Sequence, residues 1–162
     1  MNCHTQTRIK ATTRVAMLCL TVLAIAGALA GPAVAEDRYG KQKVVYHINY
    51  DGGEGGKAYI TALKNVQNHI NAVGKDNIEV KVVLHGDGVN MLRDSVKDLK
   101  LQGEVTNLKT QNVAFAVCAN TLKGRKIDPD KDLFEVGKED IVPSGVAELS
   151  YLQGKGFTYI KP

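Results

Sequence analysis

Hydrophobic positions in this chain follow two periods in alternation. Val44 to Tyr50 (Val-Val-Tyr-His-Ile-Asn-Tyr) is rich in β-branched and aromatic residues and runs into Asp51-Gly52-Gly53-Glu54-Gly55-Gly56, which predicts a strand followed by a glycine-rich turn. Tyr59, Ala62, Leu63, Val66, Ile70 and Val73 then recur at steps of three and four, the stripe of one helix face, and Gly74 ends it. Ile78 to His85 predicts a second strand. Gly86-Asp87-Gly88 turns it into a helix carrying Met91, Leu92, Val96 and Leu99, and Leu101, Val105 and Leu108 continue helically despite Gly103. Asn112 to Val117 predicts a third strand, apolar on both faces, that leads directly into Cys118 and a short helical stretch over Ala119 to Lys123.

The charged segment from Gly124 to Lys138 reads as loop with a turn of helix at Lys131 to Phe134. Asp140-Ile141-Val142 predicts a short fourth strand, stopped by Pro143. Ser144 is placed to cap a last helix with Ala147, Leu149 and Leu152 on its apolar side, and Phe157 to Ile160 predicts the final strand. Strands alternating with helices imply an α/β domain: a doubly wound, mainly parallel sheet of about five strands with helices on both faces. Ligands of such sheets collect beyond the carboxyl ends of the strands. That position alone singles out Asn49, Tyr50 and Asp51, then His85 and Gly86, then Cys118.

The first 35 residues differ from the rest. Arg8, Lys10 and Arg14 form a positive stretch, Val15 to Ala30 is an almost unbroken apolar run, and Ala33-Val34-Ala35 supplies a small-x-small cleavage signal. The run falls short of the roughly 20 residues that span a membrane. The expectation is a cleaved signal peptide over residues 1–35, export to the periplasm, and a mature domain of residues 36–162 with no membrane attachment. With the leader gone, the 21 Lys and Arg of the whole chain fall to 18 against 17 Asp and Glu. A domain so nearly neutral lacks the footprint of a phosphate-tracking protein, which excludes nucleic acid as a partner.

Cys3 and Cys19 leave with the leader, so Cys118 is the one cysteine of the mature chain. That count excludes an intramolecular disulfide, a Cys-x-x-Cys redox centre and a zinc site built on paired cysteines. The glycine loop does not make a nucleotide site either. Around Lys57 the Walker positions hold Asp51 and Ala58, and although Gly53 to Ala58 fits a loose G-x-G-x-x-A pattern, the second strand ends in His85 in place of a ribose-binding carboxylate. No cofactor is expected. His47, His85 and Cys118 are residue types that suit copper or zinc, but their spacing is not diagnostic and no metal site is expected. His47 falls on the strand face opposite Val44, Tyr46 and Ile48 and reads as a hydrogen-bonded core histidine; His69 reads as a helix-border residue. Cys118 carries two readings. After Ala114-Phe115-Ala116-Val117 it suits an inert small hydrophobe, whereas between a strand and a helix its thiolate faces backbone N–H groups and the positive end of the helix dipole.

Four blocks carry a resemblance: Val44 to Asp51, Val82-Val83-Leu84-His85-Gly86-Asp87-Gly88-Val89, Phe115-Ala116-Val117-Cys118-Ala119-Asn120-Thr121-Leu122, and Val142-Pro143-Ser144-Gly145-Val146-Ala147-Glu148-Leu149. With the closing Gly156 to Pro162 they span the mature chain in order, and the ordered set is similar to the DsrE/DsrF-like family, in particular its small exported members. The resemblance implies a three-layer α/β/α sheet, assembly into homotrimers or homohexamers, and, as in the sulfur-trafficking members, a cysteine that carries sulfane sulfur as a persulfide. Cys118 matches that cysteine. The partners implied are donors and acceptors of sulfane sulfur, either proteins or small molecules. In this reading Asn120 and Thr121, with the N–H groups of their turn, stabilise the anion, His85 is a candidate for proton transfer, and Asn49, Asp51 and Gly86 border the substrate. The competing classes are a non-catalytic oligomeric module with Cys118 in its core and a metal-binding accessory protein using His47, His85 and Cys118.

Overall fold

The computed structural model describes residues 36–162, and the expected leader over residues 1–35 lies outside the described residues. Five strands, β1 (Gln42–Ile48), β2 (Ile78–Leu84), β3 (Ala114–Cys118), β4 (Ile141–Val142) and β5 (Thr158–Ile160), form one parallel sheet in the order β4-β3-β2-β1-β5. Seven helices accompany them: α1 (Glu36–Tyr39), α2 (Lys57–Val73), α3 (Asn90–Asp94), α4 (Leu99–Lys109), α5 (Ala119–Arg125), α6 (Pro129–Asp132) and α7 (Gly145–Gly154). No helix among the described residues is long and apolar enough to cross a membrane.

The strand order decides which face each helix covers. From β1 to β4 the chain steps sideways in one direction, and right-handed crossovers keep the connecting helices on one face. After β4 it returns across the whole sheet to β5 beside β1, so α7 lies on the opposite face. The two cores are unequal. Val44, Tyr46, Ile48, Val82, Leu84, Phe115 and Val117 face a large core completed by Tyr59, Leu63, Val66 and Ile70 of α2 and by Met91, Leu92, Leu101, Val105 and Leu108. Behind the sheet, Val45, Val83 and Ala116 meet a smaller cluster of Leu149, Leu152 and Phe157, with the partly buried Val142 beside it. Burial on both faces is why β1 is apolar without alternation, as the parallel sheet demands.

The amphipathic stripe predicted over α2 is buried as read, and Gly74 caps its end with φ 89°. His69 borders that stripe, with Nδ1 2.9 Å from the Tyr46 hydroxyl and Nε2 2.8 Å from Gln42 Oε1. Three expectations are corrected. β1 occupies Gln42–Ile48 and not Val44 to Tyr50, so Asn49 and Tyr50 lie past its end. The helix expected to run from Met91 through Leu108 is broken: Val96 and Leu99 are exposed, and the Asp98 carboxylate accepts from the N–H groups of Lys100 and Leu101 at 2.9 and 3.1 Å, starting α4 afresh. On α7, Ala147 faces solvent while Gly145, Leu149 and Leu152 are buried.

Candidate functional site

The site is built where β3 ends. Cys118 is the last residue of β3 and the N-cap of α5, which sets the N–H groups of Asn120 and Thr121 toward its sulfur. A second helix arrives from the other side. Cys118 pairs with Val142 of β4; Pro143 stops that strand, and Ser144 caps α7 by accepting from the Ala147 N–H at 3.4 Å. The first residue of α7, Gly145, thereby brings its own N–H to the same sulfur. The Thr121 hydroxyl completes the ring of donors, and its Oγ1 accepts in turn from the Gly86 N–H at 3.0 Å.

Two opposing effects act on the thiol. Cys118 is 5% exposed, and burial pushes its pKa up. The Gly145 N–H, the Thr121 hydroxyl and the N–H groups of Thr121 and Asn120, which favour the thiolate, outweigh that effect and hold the thiol below its ordinary value. Each helix end adds a favourable dipole of about 0.3–1 kcal/mol for the anion.

Beside the cysteine stand two histidines. His47 Nε2 and His85 Nε2 are 2.6 Å apart, with the rings stacked at 4.7 Å between centroids. His47 Nδ1 is 2.7 Å from the hydroxyl of Tyr159 on β5. Gly145 joins this pair to Cys118: a Cβ built there would lie 2.9 Å from His85 Cβ and 3.3 Å from Cys118 Cβ, so only a glycine lets the helix start so close to both. Burial, His85 and the Lys161 ammonium push His47 down to about 4, and burial and Lys161 also lower His85. The pair is therefore neutral at pH 7 and shares one proton between the facing nitrogens.

Because these histidines bind protons more weakly when folded than when unfolded, the unfolded chain takes up more protons as the pH falls below about 6.5. The stability from keeping them neutral is fully present above that pH and is lost as the pH falls toward about 4. The melting temperature is accordingly expected to drop between pH 7.5 and 5, ahead of most carboxylate titration; a flat profile over that range would show the pair to be solvated.

Of the residues singled out by sequence, Cys118, His85, Gly86 and Thr121 are brought together here. Asn120 takes part through its backbone N–H, with an exposed side chain. Asn49 lies by Gly86, whose φ of 55° suits only glycine comfortably, and Asn49 O is 3.6 Å from where a Gly86 Cβ would sit. Asp51 turns away: its exposed carboxylate accepts from the Gly53 N–H at 2.8 Å within the glycine loop. His47, read as a hydrogen-bonded strand histidine, is buried and doubly hydrogen-bonded as that reading requires. Among the described residues, no three His, Cys, Asp or Glu side chains are grouped to hold a metal ion. Gly145, Tyr159 and Lys161 were not singled out by sequence. Only Gly145 left a signal, since Pro143-Ser144 marks a helix start just past a strand end.

The model of the DsrE/DsrF-like family matches residues 43–162, which holds the sheet from Lys43 onward and every residue of this site. The chain belongs to the DsrE/DsrF-like family. Membership ties it to a sulfur-relay-related fold. Among solved structures, MTH1491 from Methanobacterium thermoautotrophicum, a protein of unknown function, is 33% identical, with 75% of this chain and 100% of that one covered at a TM-score of 0.63. The ychN protein from E. coli is 18% identical, covering 75% and 99% of the two chains at a TM-score of 0.59, a likeness of fold. No curated protein matches the chain. This DsrE/DsrF-like sheet thus presents a donor-lined cysteine, two neutral histidines and a lysine along its carboxyl edge.

Proposed function

We propose that this DsrE/DsrF-like protein is a periplasmic sulfur-trafficking protein that carries sulfane sulfur as a persulfide on Cys118. The observation that carries the reading is the convergence of α5 and α7 on the Cys118 sulfur, which lowers its pKa despite burial. The thiolate attacks the outer sulfur of a donor R–S–SH, where the donor is a hydropersulfide or a related sulfane-sulfur species. The Cys118 S–S bond forms as the donor's S–S bond breaks, and R–S⁻ leaves with the electron pair of the broken bond. The proton of the transferred sulfur passes to the leaving thiolate with His85 as intermediary, leaving Cys118–S–S⁻ among the same N–H donors. An acceptor thiolate takes the sulfur by the same exchange, with no net oxidation. Asn49 and Gly86 border the approach; Asp51 is the weakest of the proposed substrate contacts, because its carboxylate is engaged in its own loop.

Mass spectrometry of the mature protein treated with polysulfide tests this. One added sulfur on Cys118 is expected, removable by a thiol acceptor. Burial of Cys118 favours a second reading, a non-catalytic binding or assembly module, and an unmodified cysteine after the same treatment selects it. Export with cleavage after Ala35 and assembly into trimers or hexamers belong to the proposal, resting on the leader pattern and on the family resemblance. N-terminal sequencing of the periplasmic fraction, expected to begin at Glu36, and light scattering on the mature chain check both; an intact leader or a clean monomer would remove the respective element.

A further inference from the structure

The persulfide exchange leaves a proton to be moved inside a pocket where Cys118 is 5% exposed and His47 is 8% exposed. Tyr159, by contrast, is 42% exposed and sits at the outer end of an unbroken hydrogen-bonded chain. From its hydroxyl the chain runs 2.7 Å to His47 Nδ1, across the imidazole to Nε2 and 2.6 Å to His85 Nε2, and the His85 ring lies against Gly145, which also packs on Cys118. We propose that Tyr159, His47 and His85 form a proton wire between solvent and the Cys118 pocket, in which Tyr159 and His47 are positioning residues that set which nitrogen of His85 bears the proton.

Such a chain has two neutral arrangements. In one, the Tyr159 hydroxyl donates to His47 Nδ1, His47 Nε2–H donates to His85 Nε2, and His85 carries its proton on Nδ1. In the other, His47 Nδ1–H donates to Tyr159, His85 Nε2–H donates to His47, and His85 Nδ1 is a free base. Taking a proton at His85 Nδ1 converts the second into the first and releases one proton from the Tyr159 hydroxyl to water; the reverse shift delivers a proton to the pocket. The protons move in concert, so neither ring holds two at once as an imidazolium, a form that burial and the nearby Lys161 charge disfavour for both. The sheet order makes the wire: β5 returns to the far side of β1, so Tyr159 reaches His47, and β2 on the near side brings His85. Strand order reverses at that same place, where α/β sheets gather their ligands.

The inference rests on the persulfide reading, and the test separates the two. Loading of Cys118 by glutathione hydropersulfide is followed by quenched-flow mass spectrometry in wild type, Tyr159→Phe and His47→Gln, beside alkylation of the unloaded thiol by iodoacetamide at the same pH. Alkylation consumes the thiolate without needing the relay, and its stabilising donors are untouched by either substitution. Loading is expected to slow by about a hundredfold in His47→Gln and by roughly tenfold or more in Tyr159→Phe, with alkylation rates unchanged. Tyr159→Phe removes one oxygen at a half-exposed position, so it keeps the test sound even where His47→Gln unfolds. Loading at the wild-type rate in Tyr159→Phe overturns the wire and leaves the carrier standing, as does a fall in alkylation equal to the fall in loading, which would assign these residues to pocket structure. A wild-type protein that takes no sulfur from the donor overturns the carrier and the wire together.

Discussion

Cys118→Ser is expected to abolish persulfide loading and to leave the melting temperature within a few degrees of wild type, whereas Cys118→Ala abolishes loading and also costs stability. The order follows from what surrounds the sulfur. A buried cysteine in an apolar pocket prefers alanine to serine, because serine there buries an unpaired hydroxyl at about 1–3 kcal/mol. Around Cys118 the N–H groups of Gly145, Thr121 and Asn120 and the hydroxyl of Thr121 all need an acceptor. Serine supplies one, and its cost stays below about 1 kcal/mol; alanine strands those donors and costs about 1–3 kcal/mol. In the folded wild type, alkylation is expected to titrate below the roughly 8.5 of a free cysteine. Two melting curves and a labelling rate against pH read all three quantities. Alanine more stable than serine, with labelling only on unfolding, returns Cys118 to the core and removes the carrier assignment.

Much of this arrangement is legible from local pattern. The stripe from Tyr59 to Val73 with Gly74 behind it marks α2, because an amphipathic helix repeats a local geometry. The break between α3 and α4 is hidden for the opposite reason: apolar residues continue through Val96 and Leu99, and the restart is decided by the Asp98 side chain, a capping event that periodicity does not register. At the site, Cys118, His85 and Gly86 are found by asking what lies at strand ends, and Thr121 by the family resemblance. Strand alternation even gives the correct face for His47. Its partners are another matter. Tyr159 and Lys161 reach the histidines only because β5 pairs with β1 and not beyond β4, and nothing local to Phe157 to Pro162 specifies which edge receives the last strand. That choice is made by α7 covering Val45, Val83 and Ala116 from behind.

Gly88→Ala is expected to lower stability by about 3 kcal/mol, or roughly 12 °C in melting temperature for a domain of this size. A Cβ there would fall 2.0 Å from the carbonyl oxygen of Ile48, 2.5 Å from its carbon and 3.0 Å from the Asn49 nitrogen. These atoms cannot give way. Ile48 is fully buried at the end of a central strand, and its carbonyl accepts the His85 N–H at 3.3 Å. The turn from Gly86 to Val89 must lift instead, and it carries the Gly86 N–H that holds Thr121 and the carbonyl of Asp87 that lies 2.7 Å from the Tyr59 hydroxyl. The contrast is Gly103→Ala in α4, where a Cβ meets nothing within 4 Å and the helix gains about 0.5–1 kcal/mol. Melting the two variants beside wild type checks the pair, and a Gly88→Ala protein within about 3 °C of wild type would show that the turn is not seated on Ile48. Because the lifted turn also carries His85 away from His47 and the Gly86 N–H away from the Thr121 hydroxyl, sulfur loading in Gly88→Ala is expected to fall even at temperatures where the protein remains folded, which makes this methyl group a probe of how rigidly the β2 turn must hold the site.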